Sequence, residues 1–205
     1  MTLKERFYHI ATQWFKDKAL LEQYWNELSE NYSETFRKYH NSNHLLELFK
    51  YYDTYCEELK QPKEVAFAIF YHDIIYNIWS NKNEIKSAKL AQKYLKATKL
   101  DDSAINRIFN LILVTKNHEP KDNVDEKWMV DFDIAILGQP WEDYLQYTKH
   151  IREEYASVPK LMYKQGRRKV LVHFLNKKRI YQTEIFFKLY ELEARNNLNK
   201  ELEIL

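Results

Sequence analysis

Apolar residues recur at three- and four-residue spacing along almost the whole chain, and sustained alternation is rare. That is the period of amphipathic helices rather than of half-buried strands. Leu20, Leu21, Tyr24, Trp25 and Leu28 make one stripe, and Leu45, Leu46, Leu48, Phe49, Tyr52 and Cys56 make a second that ends near Gln61-Pro62. A proline suits the first turn of the next helix, because the backbone N–H it lacks has no partner there. Val65, Ala66, Ile69, Phe70 and onward to Ile78 form a third, strongly apolar segment. Its length predicts a buried helix, since strands typically run about 5–6 residues. Asn83-Glu84 opens a fourth helix through Ala88, Leu90, Ala91 and Leu95. Asp101-Asp102-Ser103 has the composition of a helix start, with Ile105, Ile108, Phe109, Ile112 and Leu113 following.

His118 to Asn123 reads as a loop, because Pro120 disfavours helix in the residue before it. A helix from about Glu126 to Leu137 stops at Gly138, with Pro140 just beyond. Two more are predicted at Trp141 to Ala156 and Lys160 to Asn176, and a last one at about Tyr181 to Leu202. The expectation is all-α: one compact domain over residues 1–205 with nine or ten helices. It divides into N-terminal helices to about 31, a core to about 138, and C-terminal helices from 139.

Composition narrows this further. Two glycines and four prolines in 205 residues are too few for the many tight corners of a β-sandwich or a Rossmann fold. Hydrophobic residues at 45% and charged residues at 30% exclude a long disordered tail. With 32 basic and 30 acidic residues, net +2, there is no global field to draw in nucleic acid. The basic runs Lys164–Lys169 and Asn176–Arg179 therefore read as solvated helix ends, and no nucleic-acid partner is expected. Cys56 is the sole cysteine, which suits a reducing compartment. No apolar run of about 18 residues and no signal-type segment is visible, so the expected location is cytoplasmic, with no membrane association. The Asn31-Tyr32-Ser33 sequon is read as a chance match.

The chemistry begins at His72-Asp73, a polar pair flanked by Ile69, Phe70, Ile74 and Ile75. Burying a carboxylate is costly unless it is paired, hydrogen-bonded or metal-bound. Alone, the pair could be a mutually satisfied feature of the core. It is not alone, however. His40 and His44, four residues apart, share a face if their helix extends back to His40. Asp131 and Asp133 sit in the apolar run Met129–Leu137. Three apolar helices each presenting His or Asp suit a divalent transition metal such as Mn, Fe, Co, Ni or Zn. Two His and two Asp would leave positions open for water and a substrate oxygen.

The order His, then His-Asp, then Asp on successive helices resembles the HD superfamily of metal-dependent phosphohydrolases. Tyr39-His40-Asn41-Ser42-Asn43-His44 looks like the Y-H-N-x-x-H start of one uncharacterised bacterial branch of it. Tyr71-His72-Asp73, Asn83-Glu84 with Ser87-Ala88, Thr115 with His118, and Asp131 to Gly138 resemble that branch in order. So do Ile151 to Tyr155, Tyr163 with Gly166-Arg167, and Ala194 to Leu198. The likeness covers about residues 32 to 202.

The resemblance implies an HD-type helical domain with His44, His72, Asp73 and Asp133 as metal ligands. The resemblance prefers His44 to His40, because the superfamily's first His is followed by an apolar helical stretch like Leu45-Leu46. It prefers Asp133 to Asp131, after the superfamily's habit of a small or apolar residue before its last ligand. Some members carry an acidic residue shortly after the His-Asp pair. Here Ile74-Ile75-Tyr76-Asn77 lacks it, and Glu84 is the substitute. Asp73 and Glu84 are thus the expected catalytic residues, with His40, His118 and Asp131 as supports or ligands of a second metal. Lys116, Arg152 and Arg167 are candidates for gripping phosphate, where an Arg offers a planar fork. His9, His150 and His173 read as ordinary helix residues, and Tyr144, Tyr147 and Tyr155 as core. The activity implied is hydrolysis of a small, nucleotide-like phosphoester by a metal-activated water. The rivals are a non-catalytic module of the same fold binding a nucleotide or signal, a purely structural helical protein, and an oxygenase on the same scaffold that would need further iron ligands. A homodimer is left open.

Overall fold

The computed structural model describes residues 1–205 and contains ten α-helices and no strand. They are α1 (Leu3–Ala11), α2 (Lys18–Tyr32), α3 (Ser42–Tyr55), α4 (Pro62–Tyr71) and α5 (Asn83–Leu95), then α6 (Asp102–Leu113), α7 (Val124–Asp133), α8 (Trp141–Glu154), α9 (Lys160–Asn176) and α10 (Glu184–Ile204). Short 3₁₀ turns extend α3, α6 and α7, at Cys56–Glu58, Val114–Lys116 and Ala135–Gly138. The helix starts follow local chemistry. The side chains of Thr2, Asp17, Asn41, Asp101, Asn123 and Thr183 each accept a first-turn backbone N–H, satisfying donors a helix leaves without partners.

Helix α4 is the centre. It packs against α1, α3, α5, α6 and α7, and every side chain from Glu64 to Tyr71 is buried. A helix covered on all sides needs no polar face, which is why this stretch reads as continuously apolar. Each of Phe67, Ile69 and Phe70 contributes about 1.5–3 kcal/mol by leaving water. Its entrance is closed by Asp125 of α7, which accepts from the backbone N–H of Lys60 (2.7 Å) and Gln61 (2.9 Å). Its buried early charge, Glu64, is held by the Arg107 guanidinium of α6. All ten helices add side chains to one connected hydrophobic core.

Three boundaries differ from the sequence expectation, and each difference matters to the site. The apolar run from Val65 is helical only to Tyr71, and residues 72–82 turn away instead of continuing to Ile78. Helix α3 starts at Ser42, because the Asn41 side chain accepts from Asn43 N–H (2.8 Å) and caps it there. His40 therefore lies before the helix, not on one face with His44. Helix α7 ends at Asp133 rather than Leu137, passing into the tighter turn 135–138. That turn lies against α10: Asn197 donates to the carbonyls of Leu137 (2.9 Å) and Gln139 (2.8 Å), and Tyr181 donates to Ile134 O (3.2 Å). No helix is long and apolar enough to cross a membrane.

Candidate metal centre

The polar segment after α4 is held by side chains from three neighbouring elements. Arg37, itself 3% exposed, donates to the carbonyls of Asp73 (2.6 Å) and Ile74 (3.0 Å). Tyr32 Oη accepts from Asp73 N–H (3.2 Å), and Ser87 Oγ from Ile75 N–H (3.1 Å). Asn83 both accepts from Asn77 N–H (3.2 Å) and donates to Asn77 O (3.0 Å). The chain leaves helical geometry at His72 with its backbone groups satisfied, and the pair His72-Asp73 is presented on a fixed turn. The Asn83 and Ser87 pattern is thus the mooring of this turn.

His44 from the first turn of α3, His72 from the end of α4 and Asp133 from the end of α7 form a group able to hold a metal. His44 Nε2, His72 Nε2 and Asp133 Oδ1 are mutually 3.2–3.5 Å apart. Ligand bonds of about 2.0–2.2 Å at angles from 90° to tetrahedral separate neighbouring ligand atoms by about 3.0–3.5 Å. Asp73 Oδ2 lies 3.3 Å from His72 Nε2 and 4.0 Å from His44 Nε2, beside the three-residue group rather than within it. The donor set fits a divalent transition metal. His72 Nδ1 lies 2.8 Å from Ile69 O, an acceptor that keeps the proton on Nδ1 and leaves the Nε2 lone pair facing the group.

Exposure divides the four candidate ligands. The imidazoles of His44 and His72 are 2% and 1% exposed, whereas Asp73 and Asp133 are 14% and 13% exposed. Any open coordination position of a metal held there would therefore face the carboxylate side. There a cavity of about 520 Å³ is bordered by both carboxylates and by Glu84, Lys116, His118 and Lys169, large enough for a small ligand. Tyr76, Tyr147, Tyr155 and Phe174 give it aromatic walls.

The charges inside are strongly coupled. Burial alone would raise the Asp73 carboxyl, but the charge and hydrogen bond of His72 outweigh it and hold it low. Burial opposes ionisation of Asp133 too, and hydrogen bonds from His118, His44 and His72 overcome it. Burial pushes His44 down. At His72 burial acts the same way, but the two aspartates reverse it and the net direction is up. Glu84 differs: burial, to which the charge of Asp73 adds, moves its carboxyl above its ordinary value.

The expected supports divide. His118 Nε2 is 3.0 Å from Asp133 Oδ2, orienting the ligand from outside. It reaches there from a left-handed backbone, φ 52°, with its ring against Phe174 and its carbonyl held by Lys177 Nζ (3.1 Å). His40 borders the cavity, its Nδ1 2.7 Å from Glu154. Lys116 and Glu84 also border it.

Three others are engaged elsewhere. Asp131 accepts from Gln182 N–H, Thr183 N–H and Thr183 Oγ1–H at 2.7–2.8 Å, tying α7 to the start of α10. Arg167 is buried in an ion pair with Glu201, which also accepts from Tyr144. Arg152 donates to the carbonyls of Tyr155 (2.6 Å) and Val158 (3.2 Å), closing the turn after α8. None of the three borders the cavity, so their expected roles at a second metal or a phosphate are replaced by structural ones. Tyr144 is core as expected, while Tyr147, Tyr155 and His173 face the cavity.

Arg37 and Glu154 escaped the sequence reading as supports. Glu154 accepts from Tyr39 N–H, His40 N–H, His40 Nδ1 and Tyr76 Oη, all within 2.7–2.8 Å. Neither sits in an apolar run that would mark it as anomalous.

No protein-family model, curated protein or solved structure matches this chain.

Proposed function

We propose that this protein is a metal-dependent phosphohydrolase of HD type, working in a reducing, cytoplasmic setting on a small, nucleotide-like phosphoester. The observation that carries the reading is the asymmetry of the ligand group: two sealed imidazoles behind two carboxylates that face a cavity edged with cations. A divalent metal bound there supplies Lewis acidity and an acidified water. The chain's own contribution is positional and electrostatic. His118 and the Arg37-held turn fix the two carboxylates, so that they need no rearrangement when charge develops. Lys116 and Lys169 offset the charge of phosphate oxygens on the cavity side. Glu84, whose raised proton affinity brings it closer to neutral pH, takes the proton from water and returns it to the leaving oxygen. The aromatic walls suit a planar group beside the phosphate.

The test is turnover of a panel of phosphomonoesters and phosphodiesters by protein loaded separately with Mn, Fe, Co, Ni and Zn. Hydrolysis of at least one class, abolished by His72→Ala, supports the reading. Tight metal binding with no turnover across the panel contradicts it. One observation favours a second reading, a ligand-binding module without turnover: Asn77 stands where an acidic residue would activate water, and its backbone is bound to Asn83. A ligand-induced rise in melting temperature without hydrolysis would select that reading.

A further inference from the structure

The two glycines of this chain differ in what surrounds them. A Cβ on Gly138 would collide with Tyr190 and Tyr181, so close packing explains that residue. A Cβ on Gly166 would meet nothing within 4 Å. Gly166 sits well inside α9, where glycine is a poor residue, and nothing in the chain fills the space above it.

That space is a groove of about 310 Å³ walled by Ile78, Trp79, Val158, Met162 and Val170. Trp79 is 65% exposed and Met162 57%, although both are large and apolar. The groove adjoins the cavity over the metal centre: Tyr155 and Val170 are walls of both. The turn that carries Asp73 runs on through Tyr76 in the cavity to Ile78 and Trp79 in the groove. Its charge character is the opposite of the cavity's. Arg167 is the one charged residue lining it, and that guanidinium is committed to Glu201. No free cation is present to receive a second phosphate.

We infer that the groove over Gly166 is the specificity subsite for an uncharged, apolar alkyl or aryl group carried by the phosphoester whose phosphate meets the metal centre. This rests on the phosphohydrolase reading for the position of the phosphate. The groove itself is argued from Gly166, its apolar walls and the two shared wall residues. Burial of apolar area is the driving force, so affinity rises with the length of the apolar group until the groove is full. A side chain grown from Gly166 occupies the same space.

The experiment compares methyl phosphate with hexyl phosphate on the metal-loaded protein and on Gly166→Leu, which adds a good helix former in open space and leaves every ligand in place. The wild-type kcat/KM is expected to be at least tenfold higher for the hexyl ester. In Gly166→Leu that preference disappears while methyl phosphate turnover is unchanged. Equal kcat/KM for both esters in the wild type, or a preference that survives in Gly166→Leu, overturns the inference.

Failure of the hydrolase reading is read separately. If neither ester turns over, hexyl phosphate is titrated against emission from Trp79, isolated by difference with Trp79→Phe. A blue shift absent in Gly166→Leu retains the groove as a binding site. No shift in the wild type removes it.

Discussion

The guanidinium of Arg37 holds the backbone carbonyl of Asp73 at 2.6 Å, from a position that is itself buried. An arginine before α3 thereby sets the direction of a carboxylate that follows α4. Removing it leaves two carbonyls short of a charged donor, costing about 2–4 kcal/mol of stability. Supports of this kind typically change metal affinity by about 10–100-fold. Arg37→Met is therefore expected to lower the urea midpoint and to weaken metal binding by one to two orders of magnitude. Urea unfolding with parallel metal titrations checks both.

Glu84 is the one carboxylate bordering the cavity that is not engaged in the ligand group. Its raised proton affinity suits it to the proposed role of general base. Glu84→Gln is expected to lower kcat by about 10²–10⁴-fold, the usual contribution of a positioned acid or base. The acidic limb of the pH–rate profile should vanish with it, and metal content should not change. Steady-state kinetics from pH 5 to 9 on both proteins gives the answer.

Glu154 binds the segment before α3 to Tyr76, and its pairing with His40 makes stability depend on pH. Burial opposes ionisation of Glu154, but His40 outweighs it and the carboxyl is held below its ordinary 4.5. Its contribution is complete above pH 4.5 and is lost as pH falls through the lower, folded value. Burial also opposes charging of His40, but Glu154 prevails and raises it above 6.5. That contribution is complete below pH 6.5 and fades as pH rises through the folded value. The stability difference between wild type and Glu154→Gln should therefore peak between pH 4.5 and 6.5, at about 1.5–3 kcal/mol. Thermal melts of the metal-free proteins at half-unit pH intervals would trace it.

The two glycines give substitutions of opposite sign. At Gly138 a Cβ would lie 2.5 Å from the Cβ of Tyr190, and Gly138→Ala should cost about 1–3 kcal/mol as the turn below Asp133 shifts. Gly166→Ala meets nothing and should gain about 0.8–1 kcal/mol of helix stability. Melting temperatures of the two variants, measured side by side, decide the comparison.

Much of the helical pattern was legible because each helix carries its own signal. The apolar stripe and Asp101 foretold α6, and Pro62 foretold the start of α4. The stop of α4 was not legible. Residues 65–78 stay apolar apart from His72, Asp73 and Asn77, and what ends the helix at Tyr71 is Arg37 and Tyr32, remote in sequence. The same blindness affected the site. His72, Asp73, Asp133 and His44 stood out as polar residues in apolar surroundings, whereas Arg167 was drawn in by residue type and Asp131 by the same apolar run as Asp133. Their partners, Glu201 and the backbone before α10, come from the far end of the chain. The supporting role of Glu154 was missed for the converse reason: a glutamate near the end of a charged helix looks solvated until tertiary structure buries it.

The central claim is that His44, His72, Asp73 and Asp133 hold one metal ion. Metal content by mass spectrometry, on wild type and on His72→Ala combined with Asp133→Ala, tests it most directly. Both proteins are purified without an affinity tag or chelator and checked for helical circular dichroism. Near-stoichiometric transition metal in the wild type, absent from a double variant that keeps its helical signal, is the expected result. No metal in the wild type after incubation with Mn, Fe, Co, Ni and Zn, or equal metal in both proteins, would contradict it.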